Sequence, residues 1–166
     1  MATDWPAMTE RGPQVAEAAV AAFEAQLGAT LPQDYRSFLL EVNGGRTARS
    51  HRVFAIRMQK ARTDETTLNG LHSLDDPDDR GNLAQRWKNI HRMLPKDVLP
   101  IGSDSFGGTV VLALGGPRRG QVWFLDGADP RPEGSNPRVE WFDRRDVSKL
   151  ADSFREFMDG LRPLDE

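Results

Sequence analysis

Cysteine is missing from all 166 residues. Disulfide frameworks, thiolate zinc sites and cysteine nucleophiles are therefore excluded. A chain that needs no disulfide suits a reducing compartment, so a cytoplasmic location is expected. An excess of one charge is missing too. The formal net charge is -3, whereas a general nucleic-acid binder carries a basic surplus or stripe. The local basic run of Arg46, Arg49, Arg52, Arg57, Lys60 and Arg62 is offset by Asp75, Asp76, Asp78 and Asp79. No direct nucleic-acid partner is expected. Long apolar runs are absent as well: nothing approaches the roughly 18 apolar residues of a membrane span. The N-terminus carries Asp4 and Glu10 and lacks the apolar centre of a signal peptide. With no repeat, low-complexity tract or linker, the length fits one domain with room for a core.

The motifs of catalysis and of ligand binding are incomplete. Gly102-Ser103-Asp104-Ser105-Phe106-Gly107-Gly108-Thr109 approaches a phosphate-binding loop, but Gly108 stands where the lysine must be. A strand-like run follows it, not the helix whose N-terminus would hold phosphate. A plain glycine turn is the better reading. Asp75 to Gly81 suggests a calcium loop. Aligned from Asp76, however, it puts Arg80 at the fifth ligand position and Trp87 at the twelfth, where oxygen ligands are required. A solvated acidic loop fits better. His51, His72 and His91 have no metal-ligand spacing. Ser37, Ser103 and Ser105 sit in no nucleophile elbow and have no recognisable base nearby in sequence. No cofactor, metal or catalytic residue is expected, and a hydrolytic enzyme is the least supported reading.

What is present is fold-forming. Residues 1–12 have no apolar period and read as a flexible arm. A helix is expected from Pro13, with Val15, Ala18, Ala19, Ala22, Phe23 and Leu27 on one face and Gly28 ending it. Pro32 suits the first position of a second helix, and Asp34 the first turn. Its stripe is Leu31, Tyr35, Phe38, Leu39 and Val42, and Asn43-Gly44-Gly45 stops it. Val53–Ile56 reads as a short strand. Residues 57–81 read mostly as loop, with at most a short strand near Leu68. A third helix is expected over about 82–93, ended by Pro95. Then come strands at Val98–Ile101, Thr109–Leu114 and Gln121–Leu125, a loop over Gly127–Pro137, and a strand at Arg138–Phe142. A last helix over about Val147–Leu161 would be capped by Asp146. Trp87, Trp123 and Trp141 fall at patterned positions and read as core. Trp5, in the arm, is either an exposed contact residue or folded back on the domain.

Several of these pieces, in order, resemble the SUKH superfamily. Leu27-Gly28, Leu31-Pro32-Gln33-Asp34-Tyr35, Phe38-Leu39 and Asn43-Gly44-Gly45 look like its opening signature. Leu99-Pro100-Ile101-Gly102, Asp104, Gly107-Gly108 and Gly120 to Asp126 look like its central block. Ser153-Phe154-Arg155-Glu156-Phe157-Met158 looks like its closing helix. The ordered set spans about residues 14–161, and the ordering is more specific than any one piece. The resemblance implies an α+β single domain over 13–166, with a mixed or mainly antiparallel sheet and about four helices packed around it. The family includes yeast cell-wall-synthesis regulators of the Smi/Knr type and many bacterial proteins, among them immunity proteins against polymorphic toxins. It implies a scaffold, not a catalytic site.

The expected function is therefore non-catalytic binding of one cognate protein, a toxin domain in the leading reading and another cellular protein in the second. Loops carry function on rigid scaffolds, and two segments depart from the family pattern. The candidate partner-binding residues are Asp75, Asp76, Asp78 and Asp79 in the first, and Arg131, Glu133 and Arg138 in and beside the second.

Overall fold

A computed structural model describes residues 5–48, 53–57, 63–78, 81–126, 140–144 and 146–163. Eight strands and four α-helices lie among them. The order is β1 (Met8–Thr9), α1 (Glu17–Leu27), α2 (Gln33–Glu41), β2 (Arg46–Thr47), β3 (Val53–Arg57) and β4 (Thr63–Leu71). Then follow α3 (Leu83–Ile90), β5 (Val98–Asp104), β6 (Thr109–Ala113), β7 (Val122–Leu125), β8 (Val147–Ala151) and α4 (Phe154–Asp159). Strands β3 to β8 form a six-stranded antiparallel meander in chain order, and β1 and β2 form a separate two-stranded ribbon. The chain after α4 returns to β3, the edge strand that opens the meander, where Arg162 and Val53 exchange backbone hydrogen bonds. The fold is a single α+β domain.

Alternation along the central strands makes two apolar faces. Val110, Leu112, Val122 and Phe124 face the main core with residues of α1, α2 and α4. Val111 and Trp123 point the other way, to a smaller cluster with Ile90, Leu94 and Val98, covered by Met93, Trp141 and Phe142. Strands buried on both faces read as continuous apolar runs, which explains Thr109–Leu114. In the main core Tyr35, Phe38 and Phe154 meet with ring centroids 4.9–6.3 Å apart. The Tyr35 hydroxyl is sealed there with no partner among the described residues, and burial pushes its pKa up.

Helix punctuation follows the sequence closely at two places. Gly28 caps α1 in the left-handed region at φ 71, and Asn43, Gly44 and Gly45 all have positive φ after α2. Pro32, the expected first helical residue, is instead the N-cap of α2, and the helix begins one position later at Gln33. The first helix begins at Glu17, not Pro13, with an N-cap, Ala16, that offers no side-chain acceptor.

Four expectations need correction. Within 57–81, β4 is a nine-residue strand, not mostly loop. Its buried positions, Thr66 and Leu68, alternate with exposed or half-exposed Glu65, Thr67 and Asn69, so its outward face is polar and hides the strand signal. The segment 147–161 is not one helix: β8 fills 147–151, and only 154–159 is helical. Leu150, Phe154, Phe157 and Leu161 have helical spacing, but Val147 and Ala151 are needed by β7. Ser153, not Asp146, caps α4: its Oγ accepts from Glu156 N at 3.0 Å, and Glu156 Oε2 accepts from Asp152 N at 2.7 Å. That is a near-complete capping box. Residues 141–143 form a 3₁₀ turn, not a strand, since Trp141 and Phe142 both lie on the second face. Residues 138 and 139 of that expected strand lie outside the described residues.

The N-terminal stretch, expected as a flexible arm, is packed over residues 5–12. Met8 pairs with Thr47 and is buried. Trp5 takes the folded-back position: its ring lies 5.3 Å from Phe38, its Nε1 donates to Glu41 at 2.7 Å, and the Arg155 guanidinium stacks 4.6 Å from it. The partners of Trp5 in this clasp lie between 33 (Phe38) and 150 (Arg155) positions away in sequence, so no local period could reveal it.

Candidate functional site

The acidic segment Asp75–Asp78 lies between β4 and α3, in a loop closed on itself. Ser73 N donates to Gly81 O at 2.7 Å, and Leu83 N donates to Ser73 O at 2.9 Å, tying the loop's two ends together. Asp76 Oδ1 accepts from Asp78 N at 2.8 Å, and Asn82 Nδ2 donates to Asp76 O at 2.8 Å. Asn82 then caps α3, its Oδ1 accepting from Gln85 N at 3.0 Å. Short polar side chains bonding the nearby backbone are what make such a turn rigid.

A residue far away in sequence fixes this loop to the body. Asn43, at 1% exposure, donates from Nδ2 to Pro13 O at 2.7 Å and to Leu74 O at 2.8 Å, and accepts at Oδ1 from Leu74 N at 2.8 Å. Its own carbonyl accepts from Gly12 N at 3.0 Å. One side chain thus joins the N-terminal stretch, the end of α2 and the base of the acidic loop. Gly44 is squeezed beside it. A Cβ there would lie 2.5 Å from Ser73 Oγ and 2.6 Å from His72 O.

Beside the loop is an open cleft of about 690 Å³, lined by Glu10, Arg11, Arg46, Asn69, His72, Ser73, Asp76, Asp78 and Ser103, among others. Its wall therefore combines the β1–β2 ribbon, the end of β4 and the acidic loop. Both charge signs face it. Among the described residues no three His, Asp or Glu side chains converge as a metal site requires.

Of the candidate partner-binding residues, Asp76 and Asp78 line this cleft, and Asp75 is exposed at the loop's start with φ 59. Asp79, Arg131, Glu133 and Arg138 lie outside the described residues. Sequence reasoning passed over His72, Arg11 and Arg46 as cleft residues. Only the ribbon pairing of β1 with β2 brings Glu10 and Arg11 there. His91 is half-buried and stacks on Trp87 with ring centroids 4.5 Å apart.

His72 has an unusual setting. Its Nε2 is shut off from solvent with no partner among the described residues. Desolvation, and secondarily the Arg86 charge, push its pKa down from 6.5 to about 4. The folded state therefore holds His72 neutral where the unfolded chain would protonate it. Its contribution to stability is complete above about pH 6.5 and is lost as pH falls from there towards 4. We expect the thermal midpoint to drop between neutral pH and about pH 5, and His72→Gln to remove a measurable share of that drop. Equal pH profiles for the two proteins would show that His72 is not the group responsible.

Residues 14–160 match the SMI1 / KNR4 family (SUKH-1). The chain belongs to this family. The match covers both the Asn43-Gly44-Gly45 junction and the acidic loop, while the packed stretch 5–12 lies outside it. No curated protein matches the chain. Among the described residues, no helix of this SUKH-1 domain is long and apolar enough to cross a membrane.

Proposed function

We propose that this SUKH-1 chain is a non-catalytic, cytoplasmic protein-binding domain that neutralises a bacterial polymorphic toxin by direct, stoichiometric binding, without a cofactor. Family membership supports a binding scaffold of this kind. The observation that carries the site is the acidic loop, which the buried Asn43 side chain holds in place through Leu74. A toxin acting on nucleic acid or on a phosphorylated substrate has a basic cleft. A fixed negative loop steers onto such a cleft and covers it. Asp75, Asp76, Asp78 and Asp79 carry this contact in the proposal, and Arg131, Glu133 and Arg138 are its further candidate residues.

The decisive experiment uses the domain encoded immediately beside this gene. Co-expression should protect cells from it, and the purified pair should form a one-to-one complex. Replacing the four aspartates with serine should lower the association rate at least about tenfold at low salt, a difference that shrinks as salt rises. Kinetics unchanged at every salt concentration would remove the loop from the interface. An isolated gene with no toxin neighbour would favour a regulatory scaffold binding another cellular protein, as the yeast members of the family suggest.

A further inference from the structure

Phe106 is 81% exposed, and it is the one large hydrophobic side chain so exposed among the described residues. It stands at the tip of the β5–β6 turn, and that turn is locked. Asp104, itself buried, accepts at Oδ1 from Phe106 N at 3.1 Å and Gly108 N at 2.6 Å, and at Oδ2 from Thr66 Oγ1 at 2.8 Å. Ser105 N donates to Thr67 O at 2.9 Å, and Thr67 Oγ1 donates to Ser105 Oγ at 2.7 Å. Gly107 has φ 90, and a Cβ at Gly108 would lie 2.4 Å from the Phe124 ring.

Every other position of this turn is explained by the fold. Position 106 is not: its φ is not positive, so the turn accepts most residues there, and the ring gains almost no burial. A single exposed apolar residue is ordinary on a protein surface. An aromatic ring held on a turn that a buried carboxylate fixes is different, because its display costs little further ordering on binding. Its flanks, Ser105 and Thr67, are uncharged. Strand β5 also carries Ser103, which lines the same cleft as Asp76 and Asp78, so the strand that ends in the Phe106 turn also borders the cleft of the acidic loop.

We propose that Phe106 is the apolar anchor of the partner contact, its ring entering a ring-sized apolar pocket on the partner protein whose rim offers neutral hydrogen-bonding groups. This rests on the binding function proposed above and assigns the complex a second element, one that governs dissociation where the acidic loop governs encounter.

The test measures binding of the adjacent-gene domain to the wild type and to Phe106→Ala. The variant should keep the wild-type thermal midpoint, since the ring is exposed. Its dissociation rate should rise about 30-fold, while its association rate and salt dependence stay as in the wild type. Phe106→Trp should retain slow dissociation better than the alanine variant. A wild-type dissociation rate in Phe106→Ala would overturn the anchor and leave the immunity reading intact. A wild-type dimer in sedimentation that Phe106→Ala converts to monomer would overturn it too, making the occupant a second copy of this chain. Failure of the wild type itself to bind the adjacent-gene domain is a distinct result, which sinks the immunity reading and the anchor with it.

Discussion

Asn43→Ala is expected to lower the unfolding free energy by about 4 kcal/mol and the thermal midpoint by roughly 10 °C. The side chain makes the bonds to Pro13 O, Leu74 O and Leu74 N. Truncation leaves these buried backbone groups without partners, at about 1–3 kcal/mol for each that water does not reach. Asn43 also sits at φ 62, where asparagine is tolerated and alanine is strained. Asn43→Gly separates the two causes, because it relieves the strain but loses the bonds. It should remain most of the way to the alanine value. Asn43→Asp places an oxygen against two carbonyls and should regain stability as pH falls, when protonation restores a donor. Thermal unfolding of the three variants checks this. A loss under about 1 kcal/mol for alanine would show that the acidic loop stands without this side chain. Since Leu74 precedes Asp75, the alanine variant should also lose the low-salt association advantage attributed to the loop.

Asp104→Ala should cost about 3 kcal/mol, the second largest effect expected. It strips the acceptor from Phe106 N, Gly108 N and Thr66 Oγ1, and Gly108 cannot move away because Phe124 packs against it. Asp104→Asn should cost only about 1 kcal/mol. Its amide oxygen still accepts from the two backbone amides, and its NH₂ can donate to the Thr66 hydroxyl. Chemical denaturation gives both values, and hydrogen exchange at Gly108 reads the turn directly. If the asparagine variant proved as unstable as the alanine one, charge and not hydrogen bonding would be what holds the turn.

The elements most legible in the sequence were those whose cause is local. Gly28 and Asn43-Gly44-Gly45 end their helices through φ alone, and the apolar stripe of α2 needs only helical spacing to be seen. That of α1 was read only in part: Ala18 and Ala22 are exposed, and the buried Val20 was missed among so many alanines. Less local causes misled. The strand Val147–Ala151 shares its apolar spacing with a helix, and the pairing with Val122–Leu125 decides between them. The helix start that the structure shows is set by Ser153 and Glu156, whose side chains accept from Glu156 N and Asp152 N, and not by Asp146. Strand β4 hid because its outward face is threonine, asparagine and glutamate. Of the candidate site, the acidic loop was legible as a charge run. Its rigidity was not, because that depends on Asn43, 31 residues before Leu74.

The sequence by itself determined the α+β class, the membership of SUKH-1 and the turns where glycine or asparagine must take positive φ, because each rests on short-range sterics, periodicity or ordered motifs. Only the tertiary structure decided what those motifs hold. It turned Asn43 from a helix stop into the clamp of the acidic loop and Asp104 from a turn residue into the lock beneath Phe106. It also drew Trp5 and Met8 onto the core. The reason is physical: buried hydrogen bonds and apolar contacts are satisfied by whatever the fold brings near, and distance along the chain carries no record of that.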